Sequence, residues 1–598
     1  MTTPLRHVLL TSLLTIILAG KPASTDTDAA PDGSPPAGAA IALAPCQAAG
    51  VEGEVKCGTL EVYENRAAKS GRKIALKVMV LPATGTDSAP DPVFFVVPGG
   101  PGGSACESAA WVATAWADLR KRRDLVLVDQ RGTGGSHPLN IDLFGPPENV
   151  QNYLGEFIPH DVACKARGTL AQESDLTQYT TPIAMDDLDD VRAALGYERI
   201  NLLGTSYGGR AVMVYMRQHP ERVRAAILEG AAPLDDFLPA GFPLYAERAV
   251  DGVFSECESD AGCHAAFPNL RAEFEQVFAK LEKGPVQTEI IHPKTGELAR
   301  VSLSRNVAAE AVRYLLYYPN LTRQLPVLIH EAAQGDYSPL AEFALWCRMN
   351  IVASGSMGMF LAVTCAEDLP WIKPGEGERM ARGTFLGDYR LQQQRAACDC
   401  WPRGWLPPHY SEPLRSDAPV LIITGALDPA TPPSLADGFA KYLPGSLHVV
   451  VPHGGHSADG LINADCISRL ETAFIERGTA VGLDTTCVSS IQRPPFAVKA
   501  LETKVVTLSE EELERLTGDY VIEGTTFPMV VLHEDRRLSA LAPDGPILLV
   551  PVSETKFKAV GIPGMYATFE LEEDMVARVV FERGGSTSFV LVPALAER

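Results

Sequence analysis

The chain has 598 residues, 46% of them hydrophobic, and a formal net charge of −22 at pH 7. This length exceeds that of one ordinary domain, so we expect about two to four domains. The acidic balance, with no basic face to neutralise phosphates, argues against a nucleic-acid partner.

The first residues have the pattern of a secretory signal peptide. Arg6 and His7 precede an apolar run from Val8 to Ala19, and small residues follow it. We assign residues 1–24 to the signal peptide and residues 25–45 to a flexible lead-in. The apolar run is short for a membrane span, and Lys21 stands where a lipoprotein would carry its lipidated cysteine. We therefore expect export to the periplasm or the outside, with no membrane span in the mature chain. An uncleaved anchor is the alternative.

The cysteines fit an oxidising compartment. There are 12 of them, an even number. The sequence has no C-x-x-C pair and no His at zinc spacing beside a cysteine pair, so we predict disulfides and no metal site. The predicted disulfides join cysteines that are near in sequence: Cys46–Cys57, Cys257–Cys263 and Cys466–Cys487.

Alternating strands and helices predict the core domain. Apolar runs at 93–97, 125–128 and 200–203 are typical of strands buried on both faces. They predict an open, mostly parallel α/β sheet whose first part spans residues 46–232. The alternation resumes with strands at 418–425 and 446–451, so residues 415–495 form its second part.

Two further regions interrupt or follow this core. Residues 233–414 are mainly helical in pattern and predict a cap, or lid, over the catalytic edge of the sheet. Residues 500–598 contain short apolar runs separated by glycine-containing turns. This pattern predicts a small antiparallel β domain at the C-terminus.

The motif Gly204-Thr205-Ser206-Tyr207-Gly208 predicts a catalytic nucleophile. A predicted strand precedes it and a predicted helix follows it, which is the context of a nucleophile elbow. This sharp turn lifts the Ser206 hydroxyl clear of the sheet, and its glycines avoid clashes across the turn. A structural Gly/Ser turn is the alternative interpretation.

A serine nucleophile needs a general base and a carboxylate that orients it. Asp428 follows the predicted strand at 418–425, and His456 follows the next strand. This order along the chain is the one that a nucleophile elbow requires. Asp428 as a simple turn residue and His453 as the base are the alternatives.

The oxyanion of the reaction needs N–H donors held in place. We expect one from Tyr207, which follows the nucleophile, and one from Gly100 in the glycine-rich loop after the strand at 93–97, with Gly99 as the alternative. A phosphate-binding loop is the other interpretation, but G-K-[ST] is absent from the sequence. We therefore expect no cofactor.

These motifs together resemble the proline iminopeptidase and tripeptidyl aminopeptidase family. The resemblance covers roughly residues 46–490 and includes cysteines in the cap and late helix. The sequence departs from many proline iminopeptidases at Pro98, where they have His, and at Thr205, where they have Gly. The motifs that carry the resemblance are Pro98–Gly103, Asp129-Gln130-Arg131-Gly132, Gly204–Gly209, Val363–Asp368, Cys400-Trp401-Pro402, Asp428-Pro429, Thr431-Pro432 and Gly455-His456.

The resemblance implies an α/β-hydrolase fold and a secreted serine exopeptidase whose substrates are peptides. It also implies that acidic groups under the cap hold the free amine of the substrate, for which Glu367 and Glu229 are our candidates. A carboxylesterase acting on a small ester or lactone would use the same triad. A non-catalytic binding protein is disfavoured by the intact Ser, Asp and His. The sequence leaves the oligomeric state open.

Overall fold

The computed structural model describes residues 40–594, with gaps at positions 354, 500, 503, 526, 527, 535, 536, 543, 544, 574, 584 and 585. The predicted signal peptide and most of the predicted lead-in lie outside the described residues. Within the described residues, no single helix has the length and apolar composition of a membrane span, although the bent pair Ser338–Val352 and Met357–Trp371 passes that test together.

The central sheet contains nine strands in the described part of the chain. Their order across the sheet is β1-β2-β3-β5-β4-β6-β7-β10-β11. Strands β1, β2, β3 and β5 pair antiparallel with one another in that order, and the remaining pairs are parallel. The mostly parallel sheet is therefore confirmed. The strands are β1 (Ala44–Cys46), β2 (Val55–Tyr63), β3 (Lys73–Leu81), β4 (Val93–Phe95), β5 (Leu125–Val128), β6 (Ile200–Thr205), β7 (Val223–Glu229), β10 (Val420–Gly425) and β11 (Ser446–Val451).

The middle strands are buried on both faces. Phe94 of β4 lies opposite Val126 and Leu202 of its two neighbours, and none of the three is exposed. Such runs form buried parallel strands because helices cover both faces of the sheet. The helices of the hydrolase core are Ala109–Ala115, Ala117–Arg120, Val150–Tyr153, His160–Glu173, Thr181–Ala194, Tyr207–Gln218, Pro433–Ala440 and Asp465–Arg477.

The lid, residues 233–414, is inserted between β7 and β10, which are neighbours in the sheet. It is mainly helical, as its pattern predicts, but it also contains an antiparallel hairpin of β8 (Val286–Ile291) and β9 (Leu298–Leu303). Its helices are Phe242–Ser259, Ala261–Ala266, Leu270–Glu282, Arg305–Leu315, Pro319–Thr322, Leu325–Gln334, Ser338–Cys347, Met357–Glu367, Glu376–Ala381 and Tyr389–Cys400.

The C-terminal region forms a closed antiparallel barrel of eight strands within the described residues, which confirms the predicted antiparallel domain. Buried aromatic side chains such as Phe557 and Phe569 fill its interior. A short helix, Glu510–Glu514, precedes the barrel. The strands are β12 (Gly518–Ile522), β13 (Pro528–Glu534), β14 (Arg537–Ala542), β15 (Gly545–Pro551), β16 (Lys556–Ala559), β17 (Met565–Glu572), β18 (Met575–Arg583) and β19 (Ser586–Pro593).

The barrel packs against the lid. Lys558 of β16 forms an ion pair with Glu342 of the helix Ser338–Cys347, and both side chains are largely buried. The guanidinium of Arg583 lies 5.8 Å from the ring of Trp346 on the same helix. The connection before the barrel belongs to the core, since Phe496 and Ala497 are buried in the main hydrophobic cluster.

The described residues contain five disulfides. The three expected pairs, Cys46–Cys57, Cys257–Cys263 and Cys466–Cys487, are bonded. Two more join elements that are far apart in sequence: Cys164–Cys400 ties the core to the lid, and Cys365–Cys398 lies within the lid. His160 lies beside the first of these, and within the described ranges His160, Cys164 and Cys400 are the one group with metal-ligand spacing. Because both cysteines are bonded to each other, the group offers no thiolate ligand.

Candidate active site

Ser206 occupies a strained turn between β6 and the helix Tyr207–Gln218. Its backbone has φ 59° and ψ −121°, a conformation that costs energy for a non-glycine residue. The neighbouring glycines are required by close packing. A Cβ at Gly204 would come within 2.3 Å of the Gly208 carbonyl oxygen, and one at Gly208 within 2.2 Å of the Val97 oxygen. The elbow geometry follows from these contacts.

Asp428 and His456 form the acid–base pair. His456 Nδ1 lies 2.8 Å from Asp428 Oδ2, and the Asp428 side chain is fully buried. The other oxygen of Asp428 accepts hydrogen bonds from the backbone N–H groups of Ala430 and Thr431, at 2.7 and 2.8 Å. Burial alone would raise the pKa of Asp428, but the His456 charge and these hydrogen bonds bring that pKa below its usual value. The carboxylate therefore stays ionised and holds the Nδ1 edge of the imidazole.

Thr431 is a third member of this pair that sequence reasoning missed. Its Oγ1 lies within hydrogen-bond distance of three groups: the Gly230 carbonyl oxygen at 2.7 Å, Asp428 Oδ2 at 2.9 Å and His456 Nδ1 at 3.1 Å. The one hydroxyl proton is shared between the two oxygen acceptors, Gly230 and Asp428. The residue is almost completely buried. The only sequence signal was its place in the run Asp428–Pro432.

Gly230 connects the acid–base pair to the nucleophile. A Cβ there would lie 3.3 Å from both Asp428 Oδ2 and His456 Nδ1. The adjoining backbone is hydrogen-bonded to that of Ser206: the Ser206 N–H donates to the Glu229 carbonyl oxygen, and the Ala232 N–H donates to the Ser206 carbonyl oxygen. Among the described residues, no hydrogen bond joins Ser206 Oγ to His456. Such catalytic hydrogen bonds often tighten only when substrate is bound.

His453, the alternative base, faces elsewhere. Its Nδ1 lies 2.7 Å from Glu256 Oε1, on a lid helix. His456, not His453, is the histidine that the structure joins to Asp428. The geometry therefore favours His456 as the base.

The expected oxyanion donors lie on two sides of the nucleophile. Tyr207 is the first residue of its helix, so its N–H has no partner within the helix. The glycine-rich loop approaches from β4, where a Cβ at Gly99 would lie 3.3 Å from the Ser206 Cβ and 3.7 Å from its Oγ. Gly100 follows in the same loop, with φ 110°. The structure thus brings this loop and Tyr207 to Ser206, and Gly99 is the glycine of the loop that a Cβ would place against Ser206.

The motif Asp129-Gln130-Arg131 contacts the residues that hold the nucleophile and the glycine-rich loop in place. Asp129 accepts from Ser104 Oγ at 2.7 Å, which anchors the glycine-rich loop. Gln130 donates to the Tyr207 hydroxyl at 3.0 Å. Arg131 is fully buried and forms an ion pair with Asp187. The motif is therefore scaffolding for the nucleophile and the oxyanion loop.

Glu367 is not free to receive a substrate amine. It has no exposed surface, and its oxygens accept hydrogen bonds from Thr181 N–H at 2.7 Å, Thr181 Oγ1 at 2.8 Å and the Tyr410 hydroxyl. Burial raises the pKa of Glu367 to about 7. Thr181 Oγ1 also lies 2.7 Å from the Tyr207 hydroxyl. Glu367 therefore ties the lid to the residue next to the nucleophile.

Glu229 lies closer to the nucleophile and is partly exposed. Thr205 Oγ1 donates to its Oε2 at 2.9 Å. Glu471 is its buried neighbour and accepts from Trp116 Nε1 at 2.7 Å. Burial and the Glu229 charge hold the pKa of Glu471 well above its usual value. Glu471 therefore places a second, buried carboxyl group behind Glu229.

The fold and this site define the chain as an α/β hydrolase. It matches the alpha/beta hydrolase fold family over residues 92–264 and the TAP-like protein family over residues 383–487. Its sequence resembles the tripeptidyl aminopeptidase group within that fold.

Three relatives give the degree of similarity. The tripeptidyl aminopeptidase of Streptomyces coelicolor is 27% identical over 491 residues, which cover 75% of this chain and 88% of that protein. Serine protease Hip1 of Mycobacterium tuberculosis is 28% identical over 512 residues, covering 76% and 92%. Carboxylesterase B of Mycobacterium tuberculosis is 26% identical over 454 residues, covering 68% and 83%.

Proposed function

We propose that this chain is an exported serine aminopeptidase that cleaves peptide bonds near the free N-terminus of peptides. The observation that carries the proposal is the hydrogen bond between Asp428 and His456 beside the strained Ser206, on a sheet edge covered by a lid. Similarity to a tripeptidyl aminopeptidase and a serine protease supports peptide substrates. The disulfides support export.

Each of these groups has a defined role in the mechanism. His456 removes the proton from Ser206 Oγ as the oxygen attacks the peptide carbonyl, and Asp428 orients the imidazole and offsets its positive charge. The N–H of Tyr207 and an N–H of the loop Gly99–Gly100 stabilise the oxyanion. His456 then gives the proton to the leaving amine, and water hydrolyses the acyl-enzyme by the same route.

The lid favours chain ends as substrates. It covers the catalytic edge, which suits short peptide termini better than loops of folded proteins. An ammonium group that enters loses its hydration and needs a carboxylate in return. Glu229 is the better of our two candidates, because its side chain is partly exposed whereas Glu367 is buried and fully hydrogen-bonded.

A matched pair of substrates tests the proposal. A tripeptidyl chromogenic amide and a prolyl amide are each compared with their N-acetylated forms. We expect kcat/KM for the free amine to be higher by at least the tenfold that about 1.4 kcal/mol represents. Glu229→Gln should reduce this preference through KM, and Glu367→Gln should leave it in place. Equal kcat/KM for blocked and free amides would contradict the aminopeptidase assignment.

A carboxylesterase is the second candidate, favoured by the similarity to carboxylesterase B. The same triad would hydrolyse a small ester, and no amine site would be needed. Turnover of simple esters together with inert peptide amides, free and blocked alike, would select this function.

A further inference from the structure

A tyrosine of the lid lies against the catalytic histidine. The ring centroids of Tyr317 and His456 are 4.7 Å apart, with 54° between the planes. Tyr317 follows directly after the lid helix Arg305–Leu315 and the turn residue Leu316. The aromatic contact with the imidazole therefore comes from the lid and not from the hydrolase core.

The backbone fixes the same contact. Ser457 N–H, next to the base, donates to the Tyr317 carbonyl oxygen at 2.9 Å. A Cβ at Gly455 would come within 2.3 Å of the Leu316 oxygen and 2.6 Å of the Tyr317 oxygen. Only glycine therefore lets the histidine loop lie this close to the lid. The lid and the loop of the base are packed as one unit.

The far end of the tyrosine is also held. Arg313 Nη1 donates to the Tyr317 hydroxyl at 2.5 Å, and Arg313 Nη2 donates to Glu310 at 3.1 Å. Glu310 accepts from the Tyr389 hydroxyl at 2.6 Å and pairs with Arg390, both on another lid helix. This buried network fixes the ring that faces the imidazole.

The groups around the imidazole come from three elements. Asp428 and Thr431 face it from the loop after β10, Gly230 from the end of β7, and Tyr317 from the lid. The charged groups that act on Tyr317 are Arg313, with Glu310 behind it, and Asp428. The backbone N–H of Asp459 donates to the hydroxyl of Ser457, the residue after the base, at 3.1 Å.

We propose that Tyr317 is a positioning residue for His456: its ring orients the imidazole and stabilises the imidazolium that forms while Ser206 is acylated. This inference rests on the triad of the proposed function. An aromatic face attracts a cation, and the attraction grows when the pair is removed from water. Because Tyr317 belongs to the lid, the base is fully oriented only while the lid lies over it.

Substitutions of Tyr317 in the full-length protein separate the ring from the hydroxyl. Tyr317→Phe keeps the ring, over which the Arg313 guanidinium lies at 5.1 Å, and loses only the hydrogen bond from Arg313 to the hydroxyl. The value of kcat/KM for a small chromogenic ester should therefore stay within about threefold of wild type. Tyr317→Leu removes the aromatic face and should lower kcat about tenfold. It should also move the acid limb of the pH profile to lower pH, because the imidazolium is less stable. Tyr318→Leu, at the adjacent position, is the matched control and should not move the pH profile.

Reaction with a fluorophosphonate probe separates this inference from the proposed function. The probe acylates an activated serine whatever the natural substrate. A wild-type protein that does not react would contradict the triad itself. A reactive wild type with a Tyr317→Leu variant that reacts equally fast from pH 5 to pH 9 would overturn only the role of Tyr317. An equal loss of reaction rate in Tyr317→Phe and Tyr317→Leu would also overturn the role of the Tyr317 ring. If Tyr317→Leu does not fold, Tyr317→Met, which has no aromatic face, takes its place.

Discussion

Thr431 Oγ1 lies 3.1 Å from Nδ1 of His456, on the side of the imidazole that contacts Asp428. The same hydroxyl contacts the carboxylate of Asp428 at 2.9 Å. The orientation of the base therefore depends on a neutral side chain as well as on a charge.

Replacing Thr431 by valine should impair catalysis, because valine has nearly the same side-chain shape but no hydroxyl group. Hydrogen bonds to charged groups contribute about 1.5–3 kcal/mol, so kcat should fall roughly tenfold to a hundredfold. Thr431→Ser keeps the hydroxyl and should restore most of the activity. Steady-state kinetics on one small substrate measure both. Wild-type kcat in Thr431→Val would show that the hydroxyl has no part in orienting the base.

The two histidines of the loop after β11 should differ sharply. Ser206→Ala should lower kcat by about 10⁶, as loss of the nucleophile does in serine proteases, and His456→Ala should be nearly as severe. His453→Ala removes only a contact with Glu256 and should be mild. Circular dichroism checks that each variant is folded. The reverse order of the two histidine variants would make His453 the base.

Glu367 should make stability depend on pH. Its folded-state pKa of about 7 is raised by burial, whereas an unfolded glutamate titrates near about 4.3. The folded chain therefore holds the proton more tightly, and stability falls as pH rises between these values, by roughly 4 kcal/mol at most. Glu367→Gln keeps a neutral group and should flatten this fall. Thermal unfolding from pH 4 to pH 8 measures this dependence of stability on pH. Glu61→Gln, at an exposed position of β2, is the control. An equally steep fall in Glu367→Gln would assign the dependence to other groups.

The disulfide Cys164–Cys400 should stabilise the molecule more than Cys257–Cys263. The first spans 236 residues of sequence and the second spans 6, and cross-links over longer loops restrict the unfolded chain more. Replacing both cysteines of the long-range pair by serine should cost about 2–5 kcal/mol. Denaturant unfolding of the two double variants tests the order. Peptide mapping without reduction tests the pairing itself, and free thiols at positions 164 and 400 would contradict it.

The barrel should be dispensable for chemistry but not for stability. A protein that ends at Val498 keeps Phe496, which is buried in the core and lies 3.8 Å from the Arg493 guanidinium. It loses the barrel residues that cover Glu342 and Trp346 of the lid. We expect activity on a small ester within about tenfold of wild type and a lower melting temperature, since apolar lid surface becomes exposed. Complete inactivity in a folded, monodisperse sample would mean that the barrel shapes the site.

Local signals explain what the sequence could predict. The elbow, the alternation of strands and helices and the loops that carry Asp428 and His456 each follow from short motifs beside apolar runs. The short-range cysteine pairs could be inferred in the same way. The spacing of apolar runs after residue 500 indicated strands, although not the pairing of β12 with β19 that closes the barrel.

Contacts between distant segments could not be predicted. Nothing near Cys164 or Cys400 in the sequence indicates that these two residues meet. The resemblance suggested Glu367 as an amine ligand, but only the structure reveals that Thr181 and Tyr410 already bond its oxygens. Tyr317 lies more than 100 residues along the chain from each triad residue. Its contact with His456 arises from the folding of the lid.

The closure of the barrel has a consequence for how copies of this chain meet at high concentration. Each of its strands has a neighbour on both sides, with β12 paired to β19. An open sheet presents unpaired N–H and C=O groups along its outer strands, and a second chain can add its own strand there. The C-terminal domain offers no such edge within the described residues. Its strands therefore cannot seed edge-to-edge aggregation while the barrel remains folded.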